Sequence, residues 1–95
     1  MKIYISGAIT GTDDYMERFK NAEKELIEKG YSVVNPASVN AQLPEDTSYE
    51  EYMKMCFCML DMREAIFLLT GWSKSCGAKR ELGYAMAKDM IIMCE

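Results

Sequence analysis

Gly71-Trp72-Ser73-Lys74-Ser75-Cys76-Gly77-Ala78-Lys79-Arg80-Glu81 joins a continuous apolar run, Ala65 to Leu69, to an amphipathic segment that begins near Ser75. The stretch reads as a buried strand, a loop of small residues and a helix carrying one carboxylate. In open α/β sheets ligands bind beyond the carboxyl ends of the strands, and a helix amino terminus offers free N–H groups and positive potential to an anion. Function is expected at this junction.

The rest of the chain repeats the alternation. Ile3 to Ser6 reads as a first strand ending at Gly7, and the loop from Ala8 to Thr12 holds a second glycine, Gly11. An Asp cap, Asp13 or Asp14, with Glu17 three residues after the latter, opens a helix that places Tyr15, Phe19, Ala22 and Leu26 at helical spacing until Gly30. Tyr31 to Val34 is β-branched and bounded by Gly30 and Asn35-Pro36, so a second buried strand follows directly. This β-α-β order implies parallel pairing. Residues 37 to 47 are small and polar with Pro44, and read as a long loop with at most one helical turn.

Ser48-Tyr49-Glu50-Glu51 matches a capping box, and the helix it opens runs to about Arg63. That helix carries Tyr52, Met53, Met55, Cys56, Phe57, Cys58, Met59, Leu60 and Met62, so it is apolar nearly all round. Such a helix is either shared with another subunit, which we favour, or a core helix with Met as gap filler. Ala65 to Leu69 is the third strand, 75 to 88 the third helix, and Met90 to Cys94 the last strand. The pattern specifies an α/β fold: a three-layer, doubly wound parallel sheet of four to five strands, Rossmann-like or flavodoxin-like. The loops after strands one and three then face one crevice.

With 95 residues, 49% hydrophobic, the chain reads as one domain over 1–95. A net charge of -4 disfavours a nucleic-acid polymer as partner, and a small ligand is the better expectation. The first residues are too short an apolar run for a signal peptide, and no run approaches the roughly 20 residues of a membrane span, so a cytoplasmic location without membrane contact is expected. Four cysteines, Cys56, Cys58, Cys76 and Cys94, lack C-x2-C spacing, and histidine is absent. No metal site is expected, and buried free thiols are the preferred reading. Without histidine, chemistry falls to carboxylates, Tyr, Lys and thiols.

On the third helix Ala78, Leu82, Ala85, Met86 and Asp89 share a face, which puts Glu81 on the rim of the buried stripe. In the second turn, near the positive helix end, its ionised form is favoured. An oriented carboxylate there suits a glycosyl-transfer nucleophile; a surface glutamate that supports the helix fits the periodicity too. Tyr4 is a phenol inside a strand, and its hydroxyl either reaches the Glu81 region or points its tip to the surface. Gly7 and Gly11 in the first loop, and Gly71 and Gly77 in the third, permit close backbone approach to a ligand, but form neither a dinucleotide fingerprint nor a P-loop. Ser75 is an N-cap candidate whose hydroxyl could also face a phosphate or sugar. Trp72, an exposed tryptophan in a polar loop, offers a flat surface for a base or sugar, or covers a neighbouring subunit.

Lys2-Ile3-Tyr4-Ile5-Ser6-Gly7, Asn35-Pro36-Ala37, Tyr52-Met53-Lys54, Gly71 to Ala78 and Glu81-Leu82-Gly83-Tyr84-Ala85 together resemble the nucleoside 2-deoxyribosyltransferase-like superfamily, in particular its short phage and bacterial branch. The resemblance spans nearly the whole chain. It implies that Glu81 attacks the anomeric carbon and displaces the base, that Tyr4 orients Glu81, and that Ser6, Gly7, Gly71, Trp72, Ser75 and Gly77 line the substrate pocket. Relatives acting on nucleoside 5'-monophosphates hold the phosphate near the positions of Ser75 and Gly77. The implied partner is a nucleoside or nucleotide, in a homodimer or higher homo-oligomer, and no cofactor is required. One position departs from the pattern: counting back eight residues from Glu64, where relatives commonly carry an aspartate, lands on Cys56. A catalytically impaired nucleotide-binding or sensing domain is therefore the alternative, with an oligomeric scaffold as a third reading.

Overall fold

Lys2–Ser6 (β1), Ser32–Val34 (β2), Ala65–Leu68 (β3) and Ile91–Cys94 (β4) form a parallel sheet in the order β2-β1-β3-β4 in the computed structural model, which describes residues 1–9, 11 and 13–95. The chain steps from β1 to one edge and from β3 to the other, so the strand order reverses between β1 and β3. That reversal opens a crevice at the carboxyl ends of the two central strands. The register places Tyr4 beside Ile66 and Ser6 beside Leu68.

Alternation along β1 decides what each layer buries. Ile3 and Ile5 face Phe19, Ala22 and Leu26 of helix α1 (Tyr15–Glu28) together with Ala37 of helix α2 (Pro36–Asn40). Tyr4 points the other way, into a cluster with Ile66 and Leu68, with Cys56, Met59 and Leu60 of helix α3 (Tyr49–Asp61), and with Ala85 of helix α4 (Cys76–Ala87). The result is the three-layer α/β architecture that the alternation of elements implied. Leu60 and Phe19 are essentially without exposed surface, and each such side chain contributes about 1.5–3 kcal/mol through burial.

Local signals differ from the sequence reading at several points. β2, read as buried, is an edge strand that is at most half-buried, and the one helical turn allowed after it forms at Pro36–Asn40, because the Asn35 side chain accepts from Ser38 N–H and Pro36 stands at the first helical position, where its missing donor costs nothing. Asp14 is the N-cap residue of α1 but makes no side-chain cap bond, and the chain leaves α1 through Gly30 at φ +92. The reading of a loop over 8–12 falls partly on residues 10 and 12, which lie outside the described residues. Three of the four thiols are exposed and only Cys56 is buried, since Cys58 sits two residues on along α3, Cys76 opens α4, and Cys94 lies on the edge strand.

Ser48 and Glu51 form a complete capping box at the start of α3. Two polar clamps then hold α3 against α4. The Arg80 guanidinium meets both carboxylate oxygens of Glu50 at 3.1 Å and lies over the rings of Tyr49 and Phe57. Further along, Asp61 accepts from the Tyr84 hydroxyl at 2.9 Å and pairs with Lys88 at 3.0 Å. All these charges are solvent-exposed, so their value is orientation more than stability. No helix among the described residues is long and apolar enough to cross a membrane.

Candidate active site

The α4 helix starts where the sequence implied. Gly71 adopts φ +88, a left-handed turn that an L side chain resists, and Trp72–Lys74 forms a short 3-10 turn. The Ser75 hydroxyl accepts from Ala78 N–H at 3.1 Å, which caps α4 and sets its first turn. From there Ala78, Glu81 and Ala85 recur at helical spacing and all three are buried.

Glu81 thus lies in the centre of the buried stripe, not on its rim, with 6% of its surface exposed. Met86 and Asp89, assigned to the same face by periodicity, are exposed instead. One of its oxygens accepts the Tyr4 hydroxyl at 2.5 Å and the other accepts the Ser6 hydroxyl at 2.6 Å. Both donors sit on β1, two residues apart, so the pleat brings them to one face. A carboxylate gripped at both oxygens by strand-borne donors has one orientation.

Burial reverses the expectation that the helix end keeps Glu81 readily ionised. Loss of water pushes its proton affinity above the ordinary carboxylate range, partly offset by hydrogen bonds from Ser6, Tyr4 and Cys56. Tyr4 is driven well above the usual phenol range, first by burial and then by the charge of Glu81, so it stays a donor. The Cys56 thiol is also raised, by burial and by Glu81.

A stability signature follows. The folded chain holds the Glu81 proton at pH values where the unfolded chain has released it, so the stabilisation is complete at low pH and is lost as pH rises from the ordinary carboxylate range through the raised folded value. Urea midpoints measured across that window are expected to fall with rising pH in the native protein. In Glu81→Gln that component of the slope is expected to vanish; an unchanged slope would show that Glu81 titrates normally.

The other candidates distribute unevenly. Ser6 is buried and serves the carboxylate directly instead of lining an open pocket. Gly7 is explained by packing: a Cβ there would meet the Leu69 side chain at 3.0 Å. Gly77 sits in the first turn of α4, where a Cβ would lie 3.5 Å from the Tyr49 hydroxyl and the Met53 sulfur. Trp72 is half-buried, not exposed, because its ring packs against the cluster that contains Tyr4 and Leu68. Sequence reasoning missed Asn40 altogether. Its side chain amide donates to the Cys56 sulfur at 3.2 Å, across the α2–α3 interface, and no spacing pattern links two positions on separate helices. Among the described residues no group of three or more His, Cys, Asp or Glu is placed to hold a metal ion.

The parallel sheet with helices on both faces is a doubly wound α/β fold, and a glutamate that is buried and held at both oxygens lies near its strand reversal. Among solved structures the chain is similar to a 2-deoxyribosyltransferase from the psychrotolerant bacterium Bacillus psychrosaccharolyticus, with a TM-score of 0.80 and 20% identity, over 99% of this chain and 71% of that one. The chain belongs to the family described as domain of unknown function (DUF4406), which matches residues 1–94. No curated protein matches it.

Proposed function

We propose that the chain cleaves or transfers the N-glycosidic bond of a deoxynucleoside or its 5'-monophosphate, with Glu81 as the nucleophile. The observation that carries this reading is the buried carboxylate whose two oxygens are held by Tyr4 and Ser6 at the carboxyl end of β1. A glutamate oxygen bonds to the anomeric carbon as the bond to the base breaks, the electron pair stays on the base nitrogen, and the base takes up a proton. The resulting glycosyl ester is opened by water or a second base, which takes the sugar and releases Glu81. Tyr4 and Ser6 hold the attacking group in line and limit its motion. Trp72, Ser75 and the glycines Gly71 and Gly77 flank this position as the substrate-facing loop and helix start. The chemistry needs no metal or organic cofactor.

A second reading is favoured by Cys56: a thiol, raised above its ordinary proton affinity by burial, stands where the resemblance implies an aspartate, so the chain would bind a nucleoside or nucleotide without turning it over. Chromatographic detection of free base from a panel of deoxynucleosides and deoxynucleoside monophosphates separates the two. Release supports the enzyme, and binding by calorimetry without release supports the binding domain. If neither release nor binding is seen, the site has no nucleoside ligand and both readings fall.

The same reading includes self-association. Met55 and Met62 on or just beyond α3 and Met86 on α4 leave apolar surface open to a second copy. Light scattering at micromolar concentration is expected to give at least a dimer, and a monomer would overturn that expectation.

A further inference from the structure

The chain leaves the sheet at Thr70. One residue earlier, Leu69 N–H still donates to the Ser6 carbonyl at 2.8 Å, so the β1–β3 ladder runs just past the end of β3. One residue later, Gly71 takes φ +88 and passes the chain to the 3-10 turn Trp72–Lys74. Thr70 therefore stands between a strand and a turn, and its backbone groups must find partners outside both. Two charged side chains supply them. Glu95 Oε1 accepts from Thr70 N–H at 2.8 Å, and an Arg18 guanidinium nitrogen donates to the Thr70 carbonyl at 2.5 Å.

Each of these side chains is anchored in turn. Glu95 N–H donates to the Leu68 carbonyl at 2.9 Å, which fixes that residue beside the end of β3, and Arg18 stands near the start of α1. Neither forms an ion pair among the described residues, so each directs its charge at a backbone group. Both bonds are exposed, where competition with water keeps their contribution to overall stability modest. What they determine is direction. A cation holds the carbonyl and an anion holds the N–H of one residue, immediately before the left-handed turn. Two residues further on, the Trp72 ring packs against the cluster that contains Tyr4.

We propose that Arg18 and Glu95 are positioning residues for the loop between β3 and α4: by gripping Thr70 at its carbonyl and its N–H they set the course of the chain through Gly71 and keep Trp72 seated beside the Tyr4 cluster. The consequence for a substrate rests on the reading of Trp72 as part of the wall of a nucleoside site. The grip itself is measurable without turnover.

The experiment is amide hydrogen exchange followed by NMR in the full chain, native and variant. It is read at Trp72, whose N–H donates to the Leu69 carbonyl at 3.1 Å, and at Lys74, whose N–H donates to the Gly71 carbonyl at 3.1 Å. Arg18→Met removes the donor and Glu95→Ala removes the acceptor. Each is expected to speed exchange at these amides by about threefold to tenfold, the shift in local opening that one lost hydrogen bond produces. Amides inside the β1–β3 ladder are expected to keep their native rates. Arg18→Lys, which keeps a charged donor, and Glu95→Gln, which keeps a carbonyl acceptor, are expected to exchange at close to the native rate.

Unchanged exchange in either Arg18→Met or Glu95→Ala overturns the proposal. Acceleration shared equally by the ladder overturns it too, being the mark of lost stability alone, as do conservative variants that exchange as fast as the Met and Ala forms. A panel of deoxynucleosides and their 5'-monophosphates, added to the native chain, is expected to slow exchange at Trp72. If the variants behave as expected while no member of the panel slows it, the grip on the loop stands and the nucleoside reading of the site falls.

Discussion

Glu81→Gln is expected to lower base release by on the order of 10⁴-fold, the scale on which loss of a covalent nucleophile is felt. Glutamine keeps the volume of the side chain in its buried slot, so the fold survives for comparison. A carboxamide has no charge to form the glycosyl ester. Its carbonyl can accept only on one side, which leaves either the Tyr4 or the Ser6 hydroxyl facing an N–H₂ group. Base release is read by chromatography, and mass spectrometry of the native protein with substrate is expected to show one added glycosyl unit on the peptide containing Glu81. A Glu81→Gln protein that retains activity within tenfold of native would move the nucleophile elsewhere.

Tyr4→Phe is expected to reduce the same activity by about 10 to 100-fold, because a hydrogen bond to a charged group contributes about 1.5–3 kcal/mol. The change removes one oxygen atom and leaves the apolar packing of the ring against Leu60, Ile66 and Leu68 in place. It also removes a donor that favours the ionised carboxylate, so the Glu81 proton affinity rises further. The acidic limb of the pH–rate profile is therefore expected to move to higher pH in Tyr4→Phe, along with the fall in rate. A fall in rate with an unmoved limb would assign Tyr4 to substrate contact and not to Glu81.

The fold was legible because its signals are local. Apolar β-branched runs at residues 3–6, 31–34 and 65–69, separated by a helix-spaced set such as Phe19, Ala22 and Leu26, state both element type and parallel order. The capping box at Ser48 and the cap at Ser75 mark helix starts because they act within three residues of themselves. The site was legible only as a set of residue types. Periodicity placed Glu81 near the buried stripe, but whether it is rim or centre depends on the rotation of α4 against α3, which the exposed Arg80–Glu50 and Lys88–Asp61 pairs accompany and no single-helix count contains. The charge state of Glu81 was misjudged for the same reason: the helix end is a local property, and desolvation is a tertiary one. Asn40 and Cys56 meet only after α2 and α3 dock, so their contact could not be read in advance.

The partners of the glutamate come from opposite ends of the chain, Tyr4 and Glu81 being 77 positions apart. Closing so long a loop forfeits much chain entropy before any contact returns it, which places this junction among the slow, non-local events of folding. During synthesis Tyr4 and Ser6 must wait for α4 to emerge, and an emerged but undocked α4 leaves the Glu81 carboxylate in water. The local helices and turns can therefore form before the carboxylate is shut away from water, so the burial of Glu81 reports the docking of α4 on β1.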